Sequence, residues 1–353
     1  MPIGNPIVYW SGTEDIDVLI TGPNAASANS GCDPQFVRCA VGSNGQGSVA
    51  VPLVSSVSNP LSFGNLSSFW YHANVIISGL NTSANCNGFA FTDNAGVVRL
   101  LLRGTGTNGQ WKLSTRNAAS TITDVPGASA VIPYPGNAIW KIDMFVNYST
   151  SGQFTLYCNG AVALDTGPGV NITTDGATSL SFFQIGNFYT GSSFGHWHSE
   201  IIVADSDTRA ARIWQMNSST AGNTDQWTGA LANVNKALVS DTTYVTAATA
   251  GLIQEYKTGG IVFPSGNFSV VAVKMTARAL VGVTGPQHIQ YVTRVGTTDY
   301  LGSTWTPFAP GSFYNDAPYN APYVQTTNPA TGVAWTVADI TAATFNYGFQ
   351  SVA

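Results

Sequence analysis

Short runs that alternate apolar and polar residues, each closed by Gly, Asn or Ser, recur along this chain and leave little room for any architecture but antiparallel sheet. Residues 139–146 show the pattern: Trp140, Ile142, Met144 and Val146 fall on one side and Lys141 and Asp143 on the other. A period of two is that of a half-buried strand. Residues 153–157 read as the next strand, and Asn159-Gly160 turns it back into 161–164. Asn-Gly between two such runs is the strongest short hairpin signal. Residues 97–102 and 111–115 form another pair across the Gly-rich stretch 104–109. Further strands are predicted at 179–185, 199–203, 261–263, 268–280 and 287–295. Helix is scarce, and Thr336-Val337-Ala338-Asp339 has the form of a capping box that would open one short helix.

A chain of 353 residues is long enough for two cores. The polar, Gly-containing stretch 217–223 follows the run at 200–203, so a boundary is expected near 206–212. The division is 1–208 and 209–353. Many short strands with regular turns predict an all-β protein, with a jelly-roll sandwich first and a second, smaller C-terminal β-sandwich carrying one short helix.

Only 9% of the residues are charged, against 44% hydrophobic. Ordinary soluble domains carry about 25% charge. The missing charge is replaced by Gly, Ser, Thr, Asn and Ala, which suits surfaces that pack against other subunits, where Lys and Glu are depleted. Net charge is −5 and the basic residues stand singly, so no patch is present to neutralise phosphates and no nucleic-acid partner is expected. No apolar run approaches the ~20 residues of a membrane helix. The first residues, Met1-Pro2-Ile3-Gly4-Asn5-Pro6, lack the basic and apolar regions of a secretory leader. The cysteines, Cys32, Cys39, Cys86 and Cys158, show no zinc spacing. Cys32 with Cys39 could bridge a loop, and reduced thiols are the simpler reading.

Two sets of residues carry a resemblance. Trp140-Lys141-Ile142-Asp143, leading to Gly152-Gln153-Phe154-Thr155-Leu156-Tyr157-Cys158-Asn159-Gly160, resembles the concanavalin A-like (laminin G-like) jelly roll. There a strand ending in a small residue, Asn or Asp, and Gly precedes a hairpin. The run 199–209, Gln226-Trp227-Thr228-Gly229 through Asp241-Thr242-Thr243-Tyr244-Val245, and the ending 327–340 resemble structural proteins of tailed-bacteriophage virions. Those proteins pair a lectin-like jelly roll with a C-terminal β-domain. The resemblance implies a particle component (fibre, tail or baseplate subunit, or capsid decoration) located in the virion. It also implies a homotrimer in contact with other virion proteins.

The sequence offers little to catalysis. Glycoside hydrolysis needs two carboxylates about 5–10 Å apart, and the three glutamates, Glu14, Glu200 and Glu255, stand far from one another. Asp205 and Asp207 could share a strand face but read as turn residues. Gly191-Ser192-Ser193-Phe194-Gly195 matches G-x-S-x-G, with His196, His198 and Asp205 downstream. A strand follows it, however, instead of the helix that a nucleophile elbow needs. Gly104–Gly109 matches G-x-G-x-x-G but reads as a hairpin loop. His196 and His198 could share one metal, and Asp93-Asn94 or Asp165 a calcium ion. A surface pair and plain turns are the simpler readings. No catalytic residue, metal or cofactor is expected.

Aromatic side chains are the most suggestive feature. Phe188, Tyr189, Phe194 and Trp197 cluster in one stretch. Trp305, Phe308, Phe313, Tyr314, Tyr319 and Tyr323 lie in another, among Pro307, Pro310, Pro318 and Pro322. Such rings anchor subunit interfaces or stack on sugars. Contact between subunits is the preferred reading, and a carbohydrate-binding adhesin module that attaches the particle to a host glycan is the alternative.

Overall fold

The structure is a computed structural model. It describes residues 6–10, 40–41, 47–51, 65–78, 84–105, 110–131, 140–187, 195–214, 216, 218–235, 241–258, 268–275, 277–306, 310–311, 313–315 and 323–353. The chain divides into two units, one ending at Ile213 and the other beginning at Trp214.

The first unit is a jelly-roll sandwich whose described residues form β1 (Pro6–Trp10), β2 (Ala40–Val41), β3 (Gly47–Val51), β4 (Ser68–Ser78), β5 (Ala84–Thr92), β6 (Val98–Thr105), β7 (Gln110–Arg116), β8 (Ile122–Val131), β9 (Trp140–Asn147), β10 (Gln153–Cys158), β11 (Ala161–Asp165), β12 (Phe182–Asn187) and β13 (Gly195–Ala204). One antiparallel sheet has the order β1-β13-β4-β9-β10-β11, with β2 also on β13. The other runs β3-β12-β5-β6-β7-β8.

Alternation builds the core between these sheets. Phe69, Tyr71, Ala73 and Val75 of β4 meet Ile142, Met144 and Val146 of β9, and Phe89 and Phe91 of β5 face them. Phe69 and Phe91 meet edge to face at 5.4 Å, as aromatic pairs prefer. The Asn159-Gly160 hairpin joins β10 to β11, and both turn residues have positive φ, 50° and 83°. That is the type I′ geometry the dipeptide favours. The 104–109 stretch lies between paired strands, with Gly104 opposite Trp111, so the G-x-G-x-x-G match belongs to a hairpin. Its residues 106–109 lie outside those described.

The second unit contains β14 (Ser218–Asp225), β15 (Ile253–Thr258), β16 (Val273–Met275), β17 (Arg278–Ala279), β18 (His288–Val295), β19 (Thr298–Trp305), β20 (Tyr314–Asn315), β21 (Tyr323–Gln325) and β22 (Asn346–Val352). A five-stranded sheet runs β14-β15-β22-β18-β19, and two ribbons, β16-β21 and β17-β20, accompany it. Val273 packs with Trp335, Ile340 and Phe345, and Met275 with Ile289, Tyr291 and Trp305. One ribbon thus closes over the sheet as a small sandwich. The single strand expected over 268–280 is two short strands with different partners, β21 and β20. Its consecutive apolar residues give no fixed alternation, so the pairing can change partner. The predicted strand at 261–263 lies outside the described residues.

The capping box forms as read. Thr336 accepts from the Asp339 backbone N–H and the Asp339 side chain accepts from Thr336, opening α1 (Val337–Thr341).

Candidate functional site

The sheet face turned away from the jelly-roll core carries the residues that alternate with the core set: Trp70, His72 and Asn74 on β4, Lys141, Asp143 and Phe145 on β9, and Thr155 and Tyr157 on β10. Strand alternation alone would leave this face to solvent. Here residues 205–213, the strap, run back across it, and the strap is where the sequence placed the start of the second domain. Ala211 and Ile213 of the strap pack on Ile202 and Ala204 of β13.

Beneath the strap is a buried ionic cluster. His72 and Asp143 sit directly opposite each other on β4 and β9. The His72 Nδ1–H donates to Asp143 Oδ1 at 2.8 Å. His72 Nε2 lies 3.9 Å from Glu200 Oε2, an ion pair and not a hydrogen bond, and all three side chains are fully buried. Thr208 Oγ1 of the strap donates to Asp143 Oδ1 at 3.1 Å. Glu200 accepts from Asn74 Nδ2 at 2.5 Å, from Arg212 Nε at 2.9 Å and from the Ile213 backbone N–H at 2.6 Å. Burial opposes a charge on His72, but the Asp143 hydrogen bond and the attraction of both carboxylates outweigh it and hold its pKa above that of an ordinary histidine. Burial, and after it the charge of Asp143, pushes the Cys158 thiol up to about 12.

A bulge brings Glu200 into this cluster. Ser199 pairs with Asn74 and Ile202 with His72, so β13 holds one more residue than β4 over that span. In regular register the residue after Ser199 would point into the core. Glu200 instead adopts φ of 55°, the bulge twists the strand, and the carboxylate is re-aimed to the outer face. Ile201 then enters the core and Ile202 meets the strap.

Beside the cluster the face is aromatic. Trp70 lies 5.3 Å from Phe145 and 5.9 Å from Tyr157, nearly parallel to the latter. All three rings are half-buried. The Arg209 guanidinium of the strap stacks over Tyr157 at 4.6 Å and Trp70 at 5.5 Å, a cation–π arrangement. Asp207 accepts from Arg209 through both oxygens, and the Lys141 ammonium donates to the Arg209 carbonyl.

The sequence did not single out this site. His72, Asn74 and Trp70 belong to no sequence motif, and alternation alone puts Asp143 on the solvent side of its strand. The aromatic residues it did name are scattered or unseen. Phe188, Tyr189, Phe194, Phe308 and Tyr319 lie outside the described residues. Trp197 is on β13 opposite Ile76 and Val41, and Tyr314 is on β20. Trp305 is in the core at 2% exposure, because it ends β19 on the inward side, and it has no face for a sugar or subunit. Tyr323 lies flat on Tyr291 at 5.2 Å, and Gly302 leaves the space its ring fills. Phe313 is partly buried, 5.6 Å from Tyr244 with Arg278 over its ring.

The other acids named by the sequence serve local structure. Asp93 accepts from Ala95 and Val97 backbone N–H groups and from Arg99. Asp165 accepts from the Gly167 N–H and the Gln153 and Thr155 side chains. Asp207 holds Arg209, and Asp205 stands exposed at the start of the strap. Among the described residues no group of three or more His, Cys, Asp or Glu could hold a metal ion. No helix among them is long and apolar enough to cross a membrane. Cys158 is a buried free thiol.

A scan against protein-family models finds no match, and a search of curated proteins finds none either. Solved structures do resemble the chain. A carbohydrate-binding module, CBM66 from Bacillus subtilis, is 10% identical over 40% of this chain and 77% of its own, with TM-score 0.30. The Caenorhabditis elegans galectin LEC-6 is 10% identical over 45% of this chain and 92% of its own, with TM-score 0.30. An endo-β-1,4-glucuronan lyase of Trichoderma reesei is 14% identical over 57% of this chain and 96% of its own, with TM-score 0.35. The chain's own sheets define it as an all-β protein, a jelly-roll sandwich followed by a smaller β-sandwich.

Proposed function

We propose that this chain is a non-catalytic structural subunit of a bacteriophage particle, working through contacts with copies of itself and with other virion proteins. The observation that supports it best is the state of the two carboxylates the jelly-roll sheet brings together. Asp143 and Glu200 are fully buried under the strap, and Thr208, Asn74, Arg212 and the Ile213 N–H hold them. A hydrolase needs its acid and base to meet substrate in a cleft. These two meet only the protein. The low charge of the chain and its resemblance to virion proteins point the same way. Quantitative mass spectrometry of gradient-purified particles tests the reading. Repeated copies per particle, in fixed ratio to the major capsid protein, are expected. Absence from particles, or turnover of a polysaccharide or ester by the purified chain, would overturn it.

The row Trp70, Phe145 and Tyr157 favours a second reading, a carbohydrate-binding adhesin module. Flat rings on neighbouring strands suit stacking on sugar faces, and a sugar on Tyr157 or Trp70 would take the place of the Arg209 guanidinium. A glycan array separates the two: binding to defined sugars that Trp70→Ala and Tyr157→Ala abolish, with the fold retained, establishes the adhesin. Silence across the array leaves the structural reading alone.

A further inference from the structure

The charge of the cluster under the strap turns on one proton. Two carboxylates, Asp143 from β9 and Glu200 from β13, face His72 from β4 and Arg212 from the strap. Other ionisable groups lie nearby among the described residues. The β10 thiol of Cys158 is neutral over the physiological range. Asp207 and Arg209 pair with each other at the rim, and the Lys141 ammonium is on the Arg209 carbonyl. If His72 loses its proton, the two buried carboxylates lose that cation, and the guanidinium that remains, Arg212, meets Glu200 from a side chain that is 45% exposed. Asp143 then keeps only neutral donors. An uncompensated buried charge is strongly destabilising. The nearest relief is for the strap to lift and admit water, because the strap supplies the Thr208 hydroxyl, the Arg212 guanidinium and the Ile213 N–H.

We propose that His72 is a proton-controlled latch: as the imidazolium it locks residues 205–213 onto the sheet, and as neutral imidazole it lets them go. The pKa of His72 is raised when the strap is docked, so the latch is fully closed below the ordinary histidine value near 6.5. It weakens as pH rises through the higher docked value. Release comes with rising pH and not in acid. The strap leads directly to Trp214 and the second unit. Its release adds nine residues, about 30 Å of extended chain, to the connection that follows the jelly roll.

Amide hydrogen exchange reads the latch directly, since the Ile213 N–H is bound to Glu200 and the Ala211 N–H to the Thr208 carbonyl. Rates are measured from pH 6 to 9.5 and divided by the intrinsic rate at each pH. The expected result is a fall of tenfold or more in protection at Ala211 and Ile213 as pH rises, with β10 amides unchanged. His72→Gln is expected to show low protection in the strap at every pH. If that variant fails to fold, nitrogen-15 histidine NMR of the native chain serves instead. The imidazolium signal of His72 should persist above the ordinary histidine pKa and disappear together with strap protection. Flat protection at Ile213 in the native chain, an equal loss in β10, or a neutral His72 at pH 6.5 would each overturn the proposal.

Discussion

Replacing Glu200 by Gln is the sharpest test of whether the buried cluster holds the jelly roll together. The substitution keeps size and shape. It also keeps an oxygen for the two donors that meet Oε1, Arg212 Nε at 2.9 Å and the Ile213 N–H at 2.6 Å. The amide nitrogen then takes the place of Oε2 and faces the Asn74 amide nitrogen that now donates to it at 2.5 Å. Two donors meet, and a charge-assisted bond worth about 1.5–3 kcal/mol is lost. His72 retains one carboxylate instead of two. Removing one partner of a fully buried ion pair costs about 3–5 kcal/mol. In a domain of 150–250 residues each kcal/mol moves Tm by about 2–4 °C, so the transition of the first unit should fall by about 6–20 °C at pH 6. Arg212→Ala is the control. That side chain is nearly half exposed, water screens its pairing, and its loss should cost about 1 kcal/mol or less. Differential scanning calorimetry of both variants decides the matter. A Glu200→Gln transition within about 2 °C of the native one, or no lower than that of Arg212→Ala, would refute the reasoning.

Trp305→Ala should destabilise the second unit by about 3–5 kcal/mol, because the ring packs against Met275, Ile289 and Tyr291 in the core. Urea denaturation followed by tryptophan fluorescence measures this, and any loss of binding in that variant would report unfolding. Cys158 should resist alkylation in the native chain at pH 8, since its thiol is buried and pushed up to about 12. Iodoacetamide pulses followed by mass spectrometry of the Cys158 peptide should show modification only after denaturant is added.

What was legible in the sequence is what depends on neighbours along the chain. Asn159-Gly160 announces its own hairpin because few other residues accept positive φ at both turn positions. Thr336 and Asp339 announce a helix start because the reciprocal bonds span three residues. The alternation of Trp140 to Val146 correctly separates the core side of β9 from the other side. It misleads only at Asp143, since period two says which side a residue takes and not what covers that side. The site was hidden for the same reason. His72 and Asp143 are 71 residues apart and Asn74 and Glu200 are 126 apart, and only the sheet order β13-β4-β9 brings them side by side. Nothing in Ser199-Glu200-Ile201 signals a left-handed residue at a bulge. A polar residue at each of His72, Asn74 and Asp143, in strands otherwise rich in core residues, was the one available hint that the second face was also covered.

The same cluster explains how a chain with so few charges tolerates buried ones. The chain has 13 basic and 18 acidic residues in 353, and several of these charges serve as joints at or near the surface. Asp93 and Asp175 share Arg99, Asp124 ties Arg103 to Lys112, and Asp241 takes Arg278 through two bonds. Glu255, buried in the second unit and held above the ordinary carboxyl range by that burial, accepts from the Thr224 N–H. Some joints are local, such as Asp93 with Arg99, and others, such as Asp175 with Arg99 and Asp241 with Arg278, tie segments 76 and 37 residues apart, which hydrophobic contact does with less directional selectivity. Buried ion pairs add little net stability over apolar packing. Their effect here is on geometry: they determine where the strap lies and where the chain leaves the jelly roll.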